Sequence, residues 1–397
     1  MLTKAIIPSL LLAMTCLALM SSCKKDSTTI NTPATTTPDT TAAPLTEQEI
    51  LDKVLTLPPT ALNYSNLALP SYINTSGMNQ IDNTPANNRV TNDGATLGRV
   101  LFYDKLLSAN NTTACASCHK QANSFADPVQ FSTGFANGKT SRNSMSLANL
   151  RYYEPGSFFG DQRAATLEEQ VLQPIQSTVE MGMTLDELES RLTQKDYYKI
   201  LFKRAFGDTI ITRDRVALAL AQFLRSMVSF QSKFDAGMAG PQTQTGAFVN
   251  FTTQENNGFH LYSNNCGRCH GTPLQIASQA RNNGLDLVYK DNGVGDITKN
   301  AADNGKFKTP SLRNVAVTAP YMHDGRFADL AHVIEFYNKD VQNHPNLDKS
   351  MRTLPPDSQP LRLNLTQEQK DEIIAFLNTL TDNQFLTDIK YSDPFKK

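Results

Sequence analysis

Beyond residue 46 the apolar positions recur every three to four residues in several blocks, the spacing that collects them on one face of a helix. The longest block runs over residues 211–230, with Val216, Leu220, Phe223, Leu224 and Met227 along one stripe. Residues 366–380 form another, through Ile373, Ile374, Phe376, Leu377 and Leu380, and shorter ones cover residues 47–55 and 97–107. Thr184 followed by Glu187 is a capping-box pattern that opens a helix through Leu192. Strand-like alternation is almost missing, and Asn, Gly and Pro crowd the stretches between blocks. The pattern predicts a mainly α fold with long irregular loops.

The first 46 residues follow a different rule. Lys4 precedes an apolar stretch over residues 5–20, interrupted only by Pro8, Ser9 and Thr15. It is too short and too poorly flanked for a membrane span and reads as a secretory signal. The run Leu19-Met20-Ser21-Ser22-Cys23 resembles a bacterial lipoprotein processing site, which makes Cys23 the acylated residue and residues 1–23 the signal. A plain cleavable signal is the alternative, and both imply export to the periplasm. Residues 24–46 are mostly Thr, Pro, Asp, Ser and Ala, too poor in apolar area to offset their ordering entropy, and are expected to be a flexible tether.

At 397 residues, 40% of them hydrophobic, the chain can build two or three ordinary cores. Lys and Arg number 37 against 38 Asp and Glu, and no basic run is interleaved with aromatics, which argues against a nucleic-acid partner. The cysteines change the picture more. Apart from Cys16 and Cys23 they lie in Cys115-Ala116-Ser117-Cys118-His119 and Cys266-Gly267-Arg268-Cys269-His270, one pattern repeated 151 residues apart. Cys-x-x-Cys-His is the attachment signature of c-type haem. One turn separates the thiols so that each meets a vinyl group, and the next residue turns its imidazole onto the iron. A Cys₄ zinc site would not require a histidine after each pair, and a redox disulfide would be expected beside a βαβ pattern that is missing. The repeat predicts two cytochrome c-like haem domains, residues 47–240 and 241–397, with the last helix able to pack back on the first. Cys115, Cys118, Cys266 and Cys269 would attach the two haems, with His119 and His270 as proximal ligands. A haem with an open sixth position activates small oxidants, while one with both axial positions filled carries electrons.

Outside the haem motifs, Leu97-Gly98-Arg99 with Leu101-Phe102-Tyr103-Asp104, Arg142-Asn143, Leu167-Glu168-Glu169-Gln170, Pro174-Ile175, Glu180-Met181-Gly182, the run from Phe307 to Asn314, and Pro320-Tyr321-Met322-His323-Asp324-Gly325 resemble the bacterial di-haem cytochrome c peroxidase family, which includes the MauG-like proteins. The resemblance covers about residues 90 to 380, in order. It implies a peroxidatic amino-terminal haem, a carboxy-terminal haem that relays electrons from an external donor, and a calcium ion between the domains. Glu180 matches the family's acid/base above the iron, with Gln170 behind it. Asn143 would give calcium a side-chain oxygen, and Thr318 and Pro320 backbone carbonyls. The family's second axial ligand at the carboxy-terminal haem lies fourteen residues beyond His323, at Tyr337. It is Met in typical peroxidases and Tyr in the MauG-like branch. A core aromatic on an amphipathic helix is the other reading of Tyr337, and Met322 and His344 are the remaining candidates. His323 reads as structural, and His260 and His332 as helix-surface residues.

Two departures stand out. The family often carries Trp within Phe-Trp-Asp-Gly-Arg, whereas this chain has no Trp and reads Phe159-Gly160-Asp161-Gln162-Arg163. Phe158, Phe159, Tyr152 or Tyr153 are the candidate substitutes between the haems. Many members also close the peroxidatic iron with a loop His, and Gly134-Phe135-Ala136 has none. The expected protein is a lipid-anchored di-haem peroxidase that reduces hydrogen peroxide to water with electrons from a small cytochrome c or cupredoxin; the family includes homodimers. A MauG-like enzyme that oxidises residues of a partner protein and a plain electron-transfer cytochrome are the alternatives.

Overall fold

The computed structural model describes residues 44–397 apart from residue 76, residues 154–156 and residue 278. Cys23, the rest of the signal and most of the tether lie outside the described residues. Regular structure is almost all helical. The one sheet among the described residues is a two-residue antiparallel pair, Ala280–Arg281 with Phe307–Lys308.

The 211–230 stripe folds as the helix Arg213–Ser226, opened by Thr212, whose hydroxyl accepts from the Arg215 N–H. Val216, Leu220, Phe223, Leu224 and Met227 are all buried. The helix Asn92–Tyr103 packs across it and starts ahead of the expected residue 97 because Thr91 caps it, accepting from the Gly94 N–H at 3.0 Å. At the crossing a Cβ on Gly98 would collide with the Ala219 carbonyl, so only glycine permits this approach. The second half repeats the device. The helix Thr253–Asn265 crosses Gln367–Asn378, and there a Cβ on Gly258 would strike the Glu372 carbonyl. Each crossing feeds a Cys-x-x-Cys-His turn. Thr184 opens the helix Leu185–Thr193 as its spacing predicts, accepting from the Glu187 N–H. The 47–55 block is shorter than its pattern: Glu47–Leu51 is helical under a Thr46–Glu49 capping box, and Leu55 instead bridges to Phe395.

Two main cores result. One gathers Leu97, Phe102, Phe125, Leu220 and Phe223, and the other Phe248, Tyr262, Ile373 and Phe376. Side chains cross the expected 240/241 division in both directions. Phe234 lies in the second core, while Leu274, Ile276, Phe385 and Tyr391 lie in the first. A buried polar knot joins the halves. The Asn314 amide donates to Ser124 Oγ at 3.0 Å and Ser229 Oγ at 3.1 Å, and its oxygen accepts from the Asp382 N–H at 2.7 Å. Arg142 adds a second tie, bonded to Asp161 at 2.6 Å and to both oxygens of Asp291.

Candidate haem pockets

Both Cys-x-x-Cys-His segments form a single helical turn, so their cysteine side chains rise from one side and the histidine follows at its end. His119 Nδ1 lies 2.7 Å from the Phe125 carbonyl and His270 Nδ1 3.2 Å from that of Gln275. A carbonyl accepts only, so Nδ1 carries the proton in each ring and Nε2 keeps the lone pair that binds iron. Burial pushes His270 down to about 4 and His119 below its ordinary value, which keeps both imidazoles neutral. The four thiols form no disulfide, and among the described residues no group of three or more His, Cys, Asp or Glu converges on a metal. A cysteine-rich zinc site therefore lacks its cluster among the described residues.

His270, Cys266 and Cys269 line a cavity of about 330 Å³. Its wall is mostly apolar, with Leu285, Phe307, Leu330, Ile334 and Leu377 among its residues, as a porphyrin face requires. Two cations on the same wall are incompletely paired among the described residues. Lys308 is 6% exposed, donates to the Ser157 carbonyl at 3.0 Å, and sits 3.5 Å over the Tyr153 ring with no carboxylate among its described partners. Burial pulls its amine down to about 7. Arg281 pairs with Asp348 through one terminal nitrogen at 2.7 Å, yet its buried Nε has no partner. These are the donors that the two carboxylates of a haem would satisfy. The pocket fits haem c in volume, lining and charge.

Tyr337 and Met322 share that wall, so both candidate axial ligands face the His270 pocket. Tyr337 is half-buried; burial pushes its phenol up to about 12, with the Asn283 amide pulling the other way. His344 stands apart, its Nδ1 3.2 Å from the Asn282 amide and outside the cavity lining. His323 stacks on Phe307 with ring centres 3.9 Å apart, a packing role. His260 and His332 are exposed on their helices.

The His119 side is built differently. Glu180 is half-buried, and its carboxylate makes no hydrogen bond among the described residues. Burial raises its pKa, with the Arg163 charge opposing, and its charge is felt at both Cys115 and Cys118. The Phe135 N–H donates to the Glu180 carbonyl at 3.0 Å, and the Phe135 ring fills the space a Cβ on Gly182 would take. The 134–136 loop thus lies beside Glu180, as a phenylalanine. Gln170 stands on the helix Leu167–Gln176 with no hydrogen bond to Glu180.

Where the family places Trp, Gly160 leaves room: a Cβ there would meet only the Phe307 ring at 3.9 Å and Met145 Cε at 4.0 Å. Tyr153 and Phe158 are committed to Lys308, and Phe159 lies 3.5 Å under the Arg163 guanidinium. Asn143, Thr318 and Pro320 line the His270 cavity together. The Asn143 amide donates to the Val129 and Gln130 carbonyls, while its oxygen accepts none of the described hydrogen bonds. Lys308, Arg281 and Asn283 escaped the sequence reading. Lys308 lies within the Phe307–Asn314 run, and Asn282-Asn283-Gly284 reads as a turn and nothing more.

Comparison with known proteins agrees with this geometry. Residues 92–243 match the family model for di-haem cytochrome c peroxidase, and residues 255–381 that for cytochrome c. The methylamine utilization protein MauG of Methylophilus methylotrophus is 30% identical over 300 residues, covering 75% of this chain and 84% of that protein. Cytochrome c551 peroxidase of Nitrosomonas europaea is 31% identical over 304 residues, 74% of this chain and 81% of its own. The crystal structure of a MauG-like protein associated with microbial copper homeostasis superposes with a TM-score of 0.72 at 30% identity, over 83% of this chain and 99% of that one. Such likeness over most of both proteins places the chain in the di-haem cytochrome c peroxidase family, MauG-like proteins included, and implies two c-type haems.

Proposed function

We propose that the protein is a di-haem peroxidase that reduces hydrogen peroxide to water in the His119 pocket and receives electrons through the His270 pocket. The observation that carries this reading is Glu180: a half-buried carboxylate with no hydrogen-bond partner among the described residues, beside the Cys115–His119 turn. Bound haem supplies the redox chemistry, two electrons for one oxygen–oxygen bond. Glu180 takes the proton from the oxygen of peroxide nearest the pocket and returns it to the departing oxygen. That oxygen leaves as water rather than hydroxide, and two further protons from solvent, with the two electrons, complete the second water. Phe135 fills the same loop with an apolar ring that cannot ligate a metal. The donor is a small cytochrome c or cupredoxin. Steady-state oxidation of a reduced cytochrome c by peroxide tests the reading; turnover supports it, and none at any donor would end it.

A MauG-like role is favoured by one observation, the phenol of Tyr337 on the wall of the His270 pocket. Slow peroxide turnover with oxidation of a partner protein's side chains would select it. The unengaged Asn143 oxygen, on one wall with Thr318 and Pro320, supports a bound calcium ion. Chelation should then lower the thermal midpoint, and added calcium restore it. Residues 1–23 support export and acylation at Cys23, giving a periplasmic, lipid-tethered enzyme; no helix of the described residues is long and apolar enough to cross a membrane.

A further inference from the structure

Asn283 lies in the turn that follows the strand Ala280–Arg281. Its side-chain oxygen accepts from the Leu285 N–H at 3.2 Å. That bond fixes which end of the amide is which, because a backbone N–H can only be met by the oxygen. The amide nitrogen must therefore face the other way. There it lies 3.4 Å from the Tyr337 hydroxyl and 3.6 Å from Met322 Sδ. One donor thus serves both side chains able to ligate a metal opposite His270.

The backbones of the two candidates are unusual as well. Met322 has φ of 73°, a left-handed conformation that a residue with a side chain rarely adopts. It opens a tight loop held by the Tyr321–Phe327 bridge and by the Gly325 N–H donating to the Met322 carbonyl at 3.2 Å. Tyr337 falls where the helix Leu330–Glu335 widens into a single π turn, Phe336–Asp340, a distortion common at functional sites. Both segments are bent in ways that bring a ligating atom to the same amide. The phenol proton has no acceptor among the described residues, so the Asn283 contact is the one hydrogen bond described for that oxygen.

We propose that Asn283 is a positioning residue that selects Tyr337 over Met322 as the side chain facing the iron opposite His270. This rests on the reading of that cavity as a haem pocket. An amide N–H bonds strongly to an anionic phenolate oxygen and weakly to a thioether. Its presence therefore favours the tyrosine, and its loss leaves the soft sulfur as the competitor. Asn283→Asp isolates the effect: it keeps the oxygen that Leu285 needs and replaces the donor with an acceptor that repels phenolate.

The test is resonance Raman and near-infrared magnetic circular dichroism of the full-length, haem-loaded protein. The wild type is expected to show a tyrosinate–iron signature. In N283D the ratio of tyrosinate to thioether signature should fall about tenfold or more, the scale of losing a charge-assisted hydrogen bond. N283D combined with Met322→Leu should lose the thioether signature and regain tyrosinate. An unchanged ratio in N283D, or a wild type with thioether alone, overturns the proposal. If N283D does not fold, Met322→Leu in the otherwise intact chain decides: the tyrosinate signature must persist, and its loss refutes the selection of Tyr337. Peroxide turnover, measured on the same samples, reports on the His119 pocket and separates failure of this proposal from failure of the peroxidase reading.

Discussion

The two haem pockets begin from the same five-residue pattern and the same glycine-mediated helix crossing, and they differ in what faces the histidine. Opposite His270 the wall offers a phenol and a thioether, both tied to one amide. Beside the Cys115–His119 turn stands Glu180, a poor ligand to which the proposed mechanism gives the proton transfer, next to Phe135, which cannot ligate at all. On the proposed reading a shared scaffold serves two tasks: the attachment turn would hold the haem and its proximal ligand, and loops distant in sequence would set whether the far side is closed for electron transfer or left for chemistry.

Removing the proton shuttle should break this asymmetry most severely. Glu180→Gln is expected to lower kcat/KM for peroxide by about 10²–10⁴, with both haems still attached. The pH profile carries the sign. Glu180 accepts a proton only when ionised, and burial raises its pKa above the usual 4.5 against the partial opposition of Arg163. Activity of the native enzyme should fall as pH drops through a point above 4.5, and the glutamine variant should lack that limb. Phe135→His would make the pockets alike by placing a ligand beside Glu180. It should convert the resting His119 haem to a six-coordinate, low-spin form and reduce initial turnover by about tenfold until the enzyme is reduced. The parallel between the crossings is sharpened by Gly98→Ala and Gly258→Ala. Each forces a methyl against a backbone carbonyl and should cost about 1–3 kcal/mol in chemical denaturation. A loss at one site only would show that the halves are not built alike. His332→Ala, an exposed helix residue, should stay within about 0.5 kcal/mol of the native protein.

Much of the frame is legible in the sequence. The Cys-x-x-Cys-His repeat carries its chemistry in five adjacent residues, and the stripe from Val216 to Met227 states its own burial because helix periodicity is local. What stayed hidden depends on contacts between distant segments. Thr91 starts its helix early through a cap that a periodicity count does not register. The last helix is expected to be able to pack back on the first domain, but that Phe385 and Tyr391 are the residues entering the first core, Phe385 meeting Phe125 260 positions away, no local pattern encodes. Asn283 carries no sequence signal of its own, since only the fold brings it to Tyr337 and Met322. Lys308 reads as an ordinary polar residue in sequence, and only its burial over Tyr153 makes it an ion in need of a partner.

Spin-state spectroscopy of the oxidised, as-isolated protein reports both axial positions at once and so bears most directly on the division of labour. One high-spin haem with a vacant position at His119, together with one low-spin haem closed by a side chain at His270, is the expected result. Two low-spin haems, each with two protein ligands in every oxidation state, would contradict it.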